Sequence, residues 1–326
     1  MNVNLPRLNV LPLGAAFLAL IVMSMPAYAS GSGTWTSLAP LPAPTEGMST
    51  ANVGNLIVAA YGFSPESGDT SLTRIYNIAD NSWSFGSPAP GLVSSEGIAV
   101  SHAKSIYALG GRNGAGNDNN RYTPASDTWT VLASMPTPRD GLGAAVVGDS
   151  IYAVGGRSQT FGPCTDVLPL ATVERYDIAT NTWTTVAPLT TPRSDIGAID
   201  HGGKIYVFGG CAGFGPGTVS NEVDIYDPTT NLWTLGAPMP TARAAFYGIG
   251  IIGDSIYVMG GEDATGAPSP ANEVYDVAHD MWSTAAPLPN PRGEMGVASH
   301  GDRIYTVGGA LPGFGSSQTT NDVFEP

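Results

Sequence analysis

Charge is scarce in this sequence: 12% of its 326 residues are Asp, Glu, Lys or Arg, and only Lys104 and Lys204 are lysine. The 13 basic residues face 27 acidic ones, leaving a net charge of −14. Such a surface repels phosphate backbones, which makes nucleic acid a poor partner. Without a basic cluster there is no polybasic patch for an anionic membrane either. Beyond the first thirty residues no apolar run is long enough to span a bilayer. No stretch sustains the periodicity of an amphipathic helix. Glycine is abundant, at 42 residues, but follows no strict third-residue period, which excludes collagen. What is present is 42% apolar residues, enough for a large core and against disorder, punctuated by 27 prolines.

Residues 1–29 carry a single charge, Arg7, then an apolar run from Leu11 to Met25, then Ala27-Tyr28-Ala29. That order predicts a secretory signal peptide cleaved before Ser30. As a helix the apolar run rises about 22 Å, short of a hydrocarbon core of roughly 30 Å. Position 30 is not cysteine, so a bacterial lipid anchor is not indicated. The expectation is a domain over 30–326, secreted or periplasmic, with no stable membrane insertion after cleavage.

The six tryptophans, Trp35, Trp83, Trp129, Trp183, Trp233 and Trp282, recur about every fifty residues, the mark of a repeat architecture. Each unit has one grammar. A run of small apolar residues leads to Ile-Tyr-x-x-Gly-Gly, as in Ile106 to Gly111, Ile151 to Gly156, Ile205 to Gly210, Ile256 to Gly261 and Ile304 to Gly309. A variable loop follows, then a tyrosine seven residues before the tryptophan, as in Tyr76/Trp83 and Tyr226/Trp233. Four short strands per unit follow from this pattern, with turns such as Pro228-Thr229-Thr230-Asn231 between the last two.

The Gly-Gly doublets, Tyr-Asp pairs and spaced tryptophans resemble kelch repeats over residues 34–326, although the first unit has Ala60-Tyr61-Gly62 where its doublet belongs. The resemblance implies an all-β, six-bladed kelch-type β-propeller with one four-stranded blade per repeat. The last unit ends at Phe324 and Pro326 without its tryptophan, while Trp35 stands alone near the start. The N-terminal strand is therefore expected to complete blade 6 and close the ring.

Strand direction sorts the loops. The strand 2–3 loops and the strand 4–1 connections share one face, the upper face. The strand 1–2 and 3–4 turns share the other. The 2–3 loops vary most, and length variation on a repeating scaffold marks where function is grafted. Arg139, Arg193, Arg243 and Arg292 each follow a tryptophan by ten residues and are expected near the upper mouth of the channel. Glu46, Glu96, Asp140, Asp195 and Glu294 lie in the same connections. Two roles suit this set: a polar mouth gripping carboxylates or sugar hydroxyls through the arginine fork, or a ring of structural salt bridges between blades. Phe63, Phe161, Phe214 and Phe314 fall in the 2–3 loops and point to a contact surface. Cys164 and Cys211 fall on the same face of blades 3 and 4, and in an exported protein their default is a disulfide.

Other chemistry is mostly missing. Gly248 to Gly253 matches the dinucleotide-binding expression but lies in a strand and turn, with no helix to receive a pyrophosphate. No Gly-x-Ser-x-Gly elbow occurs. His102, His201 and His300 share a lower-turn position in alternate blades, about 120° apart, too spread for one metal. Glu273, Asp276 and His279 lack the spacing of the iron site of kelch-class specifier proteins, and the histidines are misplaced for the copper oxidases of the superfamily. No cofactor or metal is expected. The leading expectation is a protein- or glycan-binding module. The alternative, by resemblance to periplasmic kelch proteins of the sialic acid mutarotase kind, is a sugar-acid isomerase. In it the four arginines clamp a carboxylate and Glu46 or Glu96 moves protons.

Overall fold

The computed structural model describes residue 1 and residues 32–326, apart from 93, 115, 159–163, 165–167, 214–218, 247 and 312–315. Six antiparallel four-stranded sheets form a six-bladed β-propeller, and no α-helix occurs among the described residues. Blades 1 to 5 run from the axis outward in chain order, and blade 6 does so for its first three strands. The innermost strands are Ser49–Val53, Ile98–His102, Gly143–Val147, Gly197–His201, Gly250–Ile252 and Gly296–His300. Six strands converging on one axis approach closely where their side chains are small. Ala51, Ala99, Ala145, Ala198 and Ala298 accordingly line a central channel of about 280 Å³. Gly250–Ile252 is an innermost strand, so the dinucleotide-like pattern around it opens no helix.

The isoleucine of each second strand (Ile57, Ile106, Ile151, Ile205, Ile256 and Ile304) is wholly buried between neighbouring sheets. Further out, tyrosine and tryptophan stand directly opposite across strands three and four, as in Tyr176↔Trp183 and Tyr226↔Trp233, with ring centroids 5.1 and 4.9 Å apart.

Five residues after each of these tyrosines stands Asn or Asp in a left-handed turn conformation: Asn81, Asp127, Asn181, Asn231 and Asp280. Short polar side chains tolerate that conformation best. The side-chain oxygen of Asn181 accepts the Tyr176 hydroxyl at 2.8 Å and the Ala133 backbone N–H of the preceding blade's outer strand end, also at 2.8 Å. The Trp183 indole then donates to the carbonyl of the same Ala133 at 2.7 Å. Ala39, Ser87, Ala187 and Ala237 are gripped in the same way. Two hydrogen bonds of about 1 kcal/mol each thus tie each of blades 1 to 5 to the one before it. The repeat grammar of Tyr, Asn/Asp and Trp is an inter-blade clamp.

The ring closes as expected. Thr34–Ser37 pairs antiparallel with Asn321–Glu325, placing Trp35 opposite Phe324 with ring centroids 5.1 Å apart. The Trp35 indole donates to Ala286 of blade 5 at 2.9 Å, the same bond the other tryptophans make.

Candidate functional site

The four arginines that open blades 3 to 6 are inside the protein. Arg139, Arg193, Arg243 and Arg292 are at most 1% exposed. Each turns away from the mouth toward the third strand of its own blade. Arg139 meets Glu174 at 2.8 Å, Arg243 meets Glu273 at 2.6 Å, Arg292 meets Asp322 at 3.2 Å, and Arg193 is bonded to Asp224. Backbone carbonyls take further donors, as at Arg193 with Gly209 (2.8 Å) and Glu222 (3.1 Å). The second carboxylate oxygen accepts a threonine hydroxyl in three blades: Thr137 on Glu174, Thr190 on Asp224 and Thr241 on Glu273. The pairs lie within blades, not between neighbours. Blade 1 lacks the entry arginine and has Arg74 at the acidic position, donating to the Tyr61 carbonyl at 2.9 Å.

The mouth itself is built by one turn repeated six times. Gly47, Glu96, Gly141, Asp195, Ala245 and Glu294 all have φ between 52 and 60°. In this conformation the N–H and C=O point around the ring. Glu96 donates to Gly47 at 2.9 Å, Gly141 to Glu96 at 3.0 Å, Asp195 to Gly141 at 2.6 Å, Glu294 to Ala245 at 3.1 Å and Gly47 to Glu294 at 3.0 Å. The result is a backbone rim joining blade to blade. Glu96, Asp195 and Glu294 are the long side chains on it, each 99 residues after the last and hence in alternate blades.

A second tier comes from the residue immediately after each glycine doublet: Phe63, Arg112, Arg157, Cys211, Glu262 and Ala310. Every one forms a backbone bridge or hydrogen bond to the entry of its own blade's first strand. Here lie the cations of the mouth. Arg157 bonds Glu96, and it reaches Asp140 and Asp195 at 2.6 Å each. Arg112 reaches Glu96 at 2.6 Å and Asp69 at 3.3 Å. Sequence reasoning placed Glu46, Glu96 and Asp140 here but missed Arg112 and Arg157. Their position holds five residue types in six blades and so gives no repeat signal; adjacency to the doublet is the one cue.

One guanidinium among three carboxylates leaves an excess of negative charge. Burial, reinforced by Glu96 and Asp195 and only partly offset by Arg157, pushes Asp140 up to about 7. Across the mouth, burial first and then the neighbouring carboxylates push Glu262 up to about 7 and Glu294 well above the usual carboxylate range. Glu46 is raised by burial, an effect the Ser317 hydroxyl at 2.7 Å partly offsets. No group of three His, Cys, Asp or Glu side chains among the described residues is close enough to hold a metal ion.

Cys164 and Cys211 form a disulfide, with Cα atoms 5.2 Å apart, tying the long loop of blade 3 to the second tier of blade 4. Phe63 is covered by the Arg112 guanidinium, 5.5 Å from its ring centroid. Phe161, Phe214 and Phe314 lie outside the described residues. Of the acidic and histidine set in blade 5, Glu273 is taken by Arg243, while Asp276 and His279 pair with each other at the surface at 2.8 Å. On the lower face, His102 pairs with Asp149 at 3.2 Å and His201 with Asp254 at 2.9 Å, each across a blade junction.

The model of the KLHDC2/KLHL20/DRC7 Kelch-repeats domain matches residues 99–309. Among curated proteins, the chain is 32% identical over 181 residues to Kelch-like protein terF of Aspergillus terreus, covering 51% of this chain and 39% of that one. It is 30% identical over 190 residues to Kelch-like protein 25 of Xenopus tropicalis, covering 55% and 31%. It is also 38% identical over 106 residues to Kelch-like ECH-associated protein 1A of Danio rerio, covering 32% and 17%. The chain thus spans well under half the length of these relatives. The solved structure of YjhT superposes with a TM-score of 0.74 at 17% identity, over 88% of this chain and 96% of that one, a likeness of fold. With the repeat grammar, the closed ring of six blades and the matching repeat model in agreement, the chain belongs to the kelch-repeat β-propeller family.

Proposed function

We propose that this propeller is an exported protein-binding module whose partner docks on the upper face, around the mouth. Kelch propellers commonly serve as protein-binding modules, and one relative is named for its association with another protein. One observation carries the choice of face. The clamp and core positions repeat from blade to blade, whereas the six second-tier positions are all different apart from two arginines. A repeating scaffold whose side chains vary around one mouth offers a surface that can be fitted to a partner. Export is supported by the signal-like residues 1–29 and by the Cys164–Cys211 disulfide, a bond that persists in oxidising compartments. The sugar-acid isomerase alternative needs Arg139, Arg193, Arg243 and Arg292 at the mouth, and their burial leaves it without support.

The test is selection of displayed peptides against the immobilised mature chain, with a glycan array in parallel. Selected peptides should lose binding to Glu46→Gln/Glu96→Gln and keep it to the lower-face variant Asp149→Asn/Asp254→Asn. Retention of glycans alone, or loss of binding confined to the lower-face variant, would overturn the reading.

A further inference from the structure

The charges at the mouth are unevenly distributed around the ring. Among the described residues seven carboxylates gather there (Glu46, Asp69, Glu96, Asp140, Asp195, Glu262 and Glu294) against two guanidiniums. Both guanidiniums belong to blades 2 and 3, and their ion pairs engage Asp69, Glu96, Asp140 and Asp195. In blades 5, 6 and 1 no ion pair joins Glu46, Glu262 or Glu294 to a basic side chain among the described residues.

These three carboxylates sit over the junctions between blades. A Cβ on Gly293 would lie 2.6 Å from Glu262 Oε1, so the blade 5 carboxylate rests on the bare backbone of blade 6. A Cβ on Gly47 would lie 3.6 Å from Glu294 Oε2, so the blade 6 carboxylate reaches blade 1. The same point beside Gly47 is 3.4 Å from the Cβ of Ser95. Ser95 is 1% exposed, and its hydroxyl has no hydrogen-bond partner. A buried hydroxyl left unpaired is costly. The Glu294 carboxylate and the Ser95 side chain therefore flank Gly47 together.

The opposite half of the mouth shows what satisfies such an arrangement. Arg157 donates separate N–H groups to Glu96 and Asp195 and pairs with Asp140 at 2.6 Å, carboxylates from three successive blades. A guanidinium can do this because its donors fan out in a plane, whereas a compact ion needs its ligands drawn to one point. The carboxylates of blades 5, 6 and 1 are not grouped closely enough for a metal ion. We infer that the mouth sector formed by Glu262, Glu294, Glu46 and Ser95 is a pocket for an arginine side chain of a protein partner, which would stand there as Arg157 stands on the other side. The net charge of −14 favours the approach of a basic segment. The inference rests on the upper face being a protein-binding surface, and it names the chemistry that surface selects.

The test uses terminally blocked hexapeptides with one arginine on a glycine-serine background, compared with twins carrying citrulline, which keeps the shape and loses the charge. At low salt the mature chain should bind the arginine peptides at least tenfold more tightly than the citrulline peptides. Glu262→Gln/Glu294→Gln should bring both to the same level. Asp149→Asn/Asp254→Asn on the lower face should leave the ratio unchanged. The double glutamine variant should also melt no lower than the parent at pH 8, because it removes repulsion. Equal binding of arginine and citrulline peptides, or unchanged arginine binding by the glutamine variant, would overturn the pocket. So would a lower melting temperature of that variant, which would make the acids structural supports. Displayed peptides that need the upper face but carry no basic residue would also sink the pocket, while leaving the protein-binding reading in place.

Discussion

Arg193→Ala removes a side chain that is wholly buried and bonded to Asp224, itself 0% exposed. The remaining carboxylate keeps only the Thr190 hydroxyl at 2.8 Å, and the Gly209 and Glu222 carbonyls each lose a donor. Breaking one side of a buried pair leaves an uncompensated charge, a loss of about 3–5 kcal/mol. For a domain of this size that is a fall of roughly 6–20 °C in melting temperature. Arg193→Met/Asp224→Leu takes both charges away and should recover most of the loss, since apolar replacements of buried pairs are often close to neutral. Tryptophan fluorescence in a urea series on the parent, two single variants and the double variant gives the full cycle, with an expected coupling of at least about 2 kcal/mol. Ligand binding by the folded fraction of Arg193→Ala should match the parent. A single variant within 1 kcal/mol of the parent (about the size of one ordinary hydrogen bond), or one that stays folded and loses binding, would return these arginines to the mouth.

Three other outcomes follow. Deleting residues 30–41 removes the strand that pairs with Asn321–Glu325 and the Trp35–Ala286 bond, and should cause aggregation or loss of cooperative melting; a truncated chain that melts like its parent would disprove closure. The mature chain should have a mass two hydrogens below its reduced form, and reduction should destabilise it by up to about 4 kcal/mol in the chain-entropy model; quantitative thiol labelling of the denatured, unreduced chain would remove the disulfide. Glu262 and Asp140 hold their protons to about pH 7 when folded but release them near 4.5 and 3.8 when unfolded. The folded state therefore binds the extra protons between these values, and stability should fall as pH rises from 5 to 8. Glu262→Gln should flatten that slope by about 1–2 kcal/mol after allowance for partial exposure. A melting temperature that climbs over the same range would contradict the burial of these carboxylates.

Much of the fold was legible because its determinants repeat. Tyrosine, the Asn or Asp turn and tryptophan make the same clamp in five blades, and Gly110 shows why the doublet is fixed: its φ is +63°, and a Cβ there would lie 2.6 Å from the Arg139 carbonyl. The same logic hid the site. Repetition brought out Arg139, Arg193, Arg243 and Arg292, yet a residue that recurs in four blades is serving the blade, and these four hold its strands together. Arg112 and Arg157 occupy a position where no residue type dominates, so no period brings them forward. Their role appears only when the ring folds carboxylates from different blades onto them. Cys164 and Cys211 were legible as a pair because topology alone set them on one face of adjacent blades.

Hydrogen-exchange footprinting of the mature chain with one selected arginine-bearing peptide tests the location of binding most directly. Protection should rise in segments 44–48, 261–264 and 292–296, and the lower turns at 53–56, 102–105 and 148–150 should be unchanged. Protection confined to those lower turns, or to the outer strands, would place the partner elsewhere and contradict a binding site at the upper mouth.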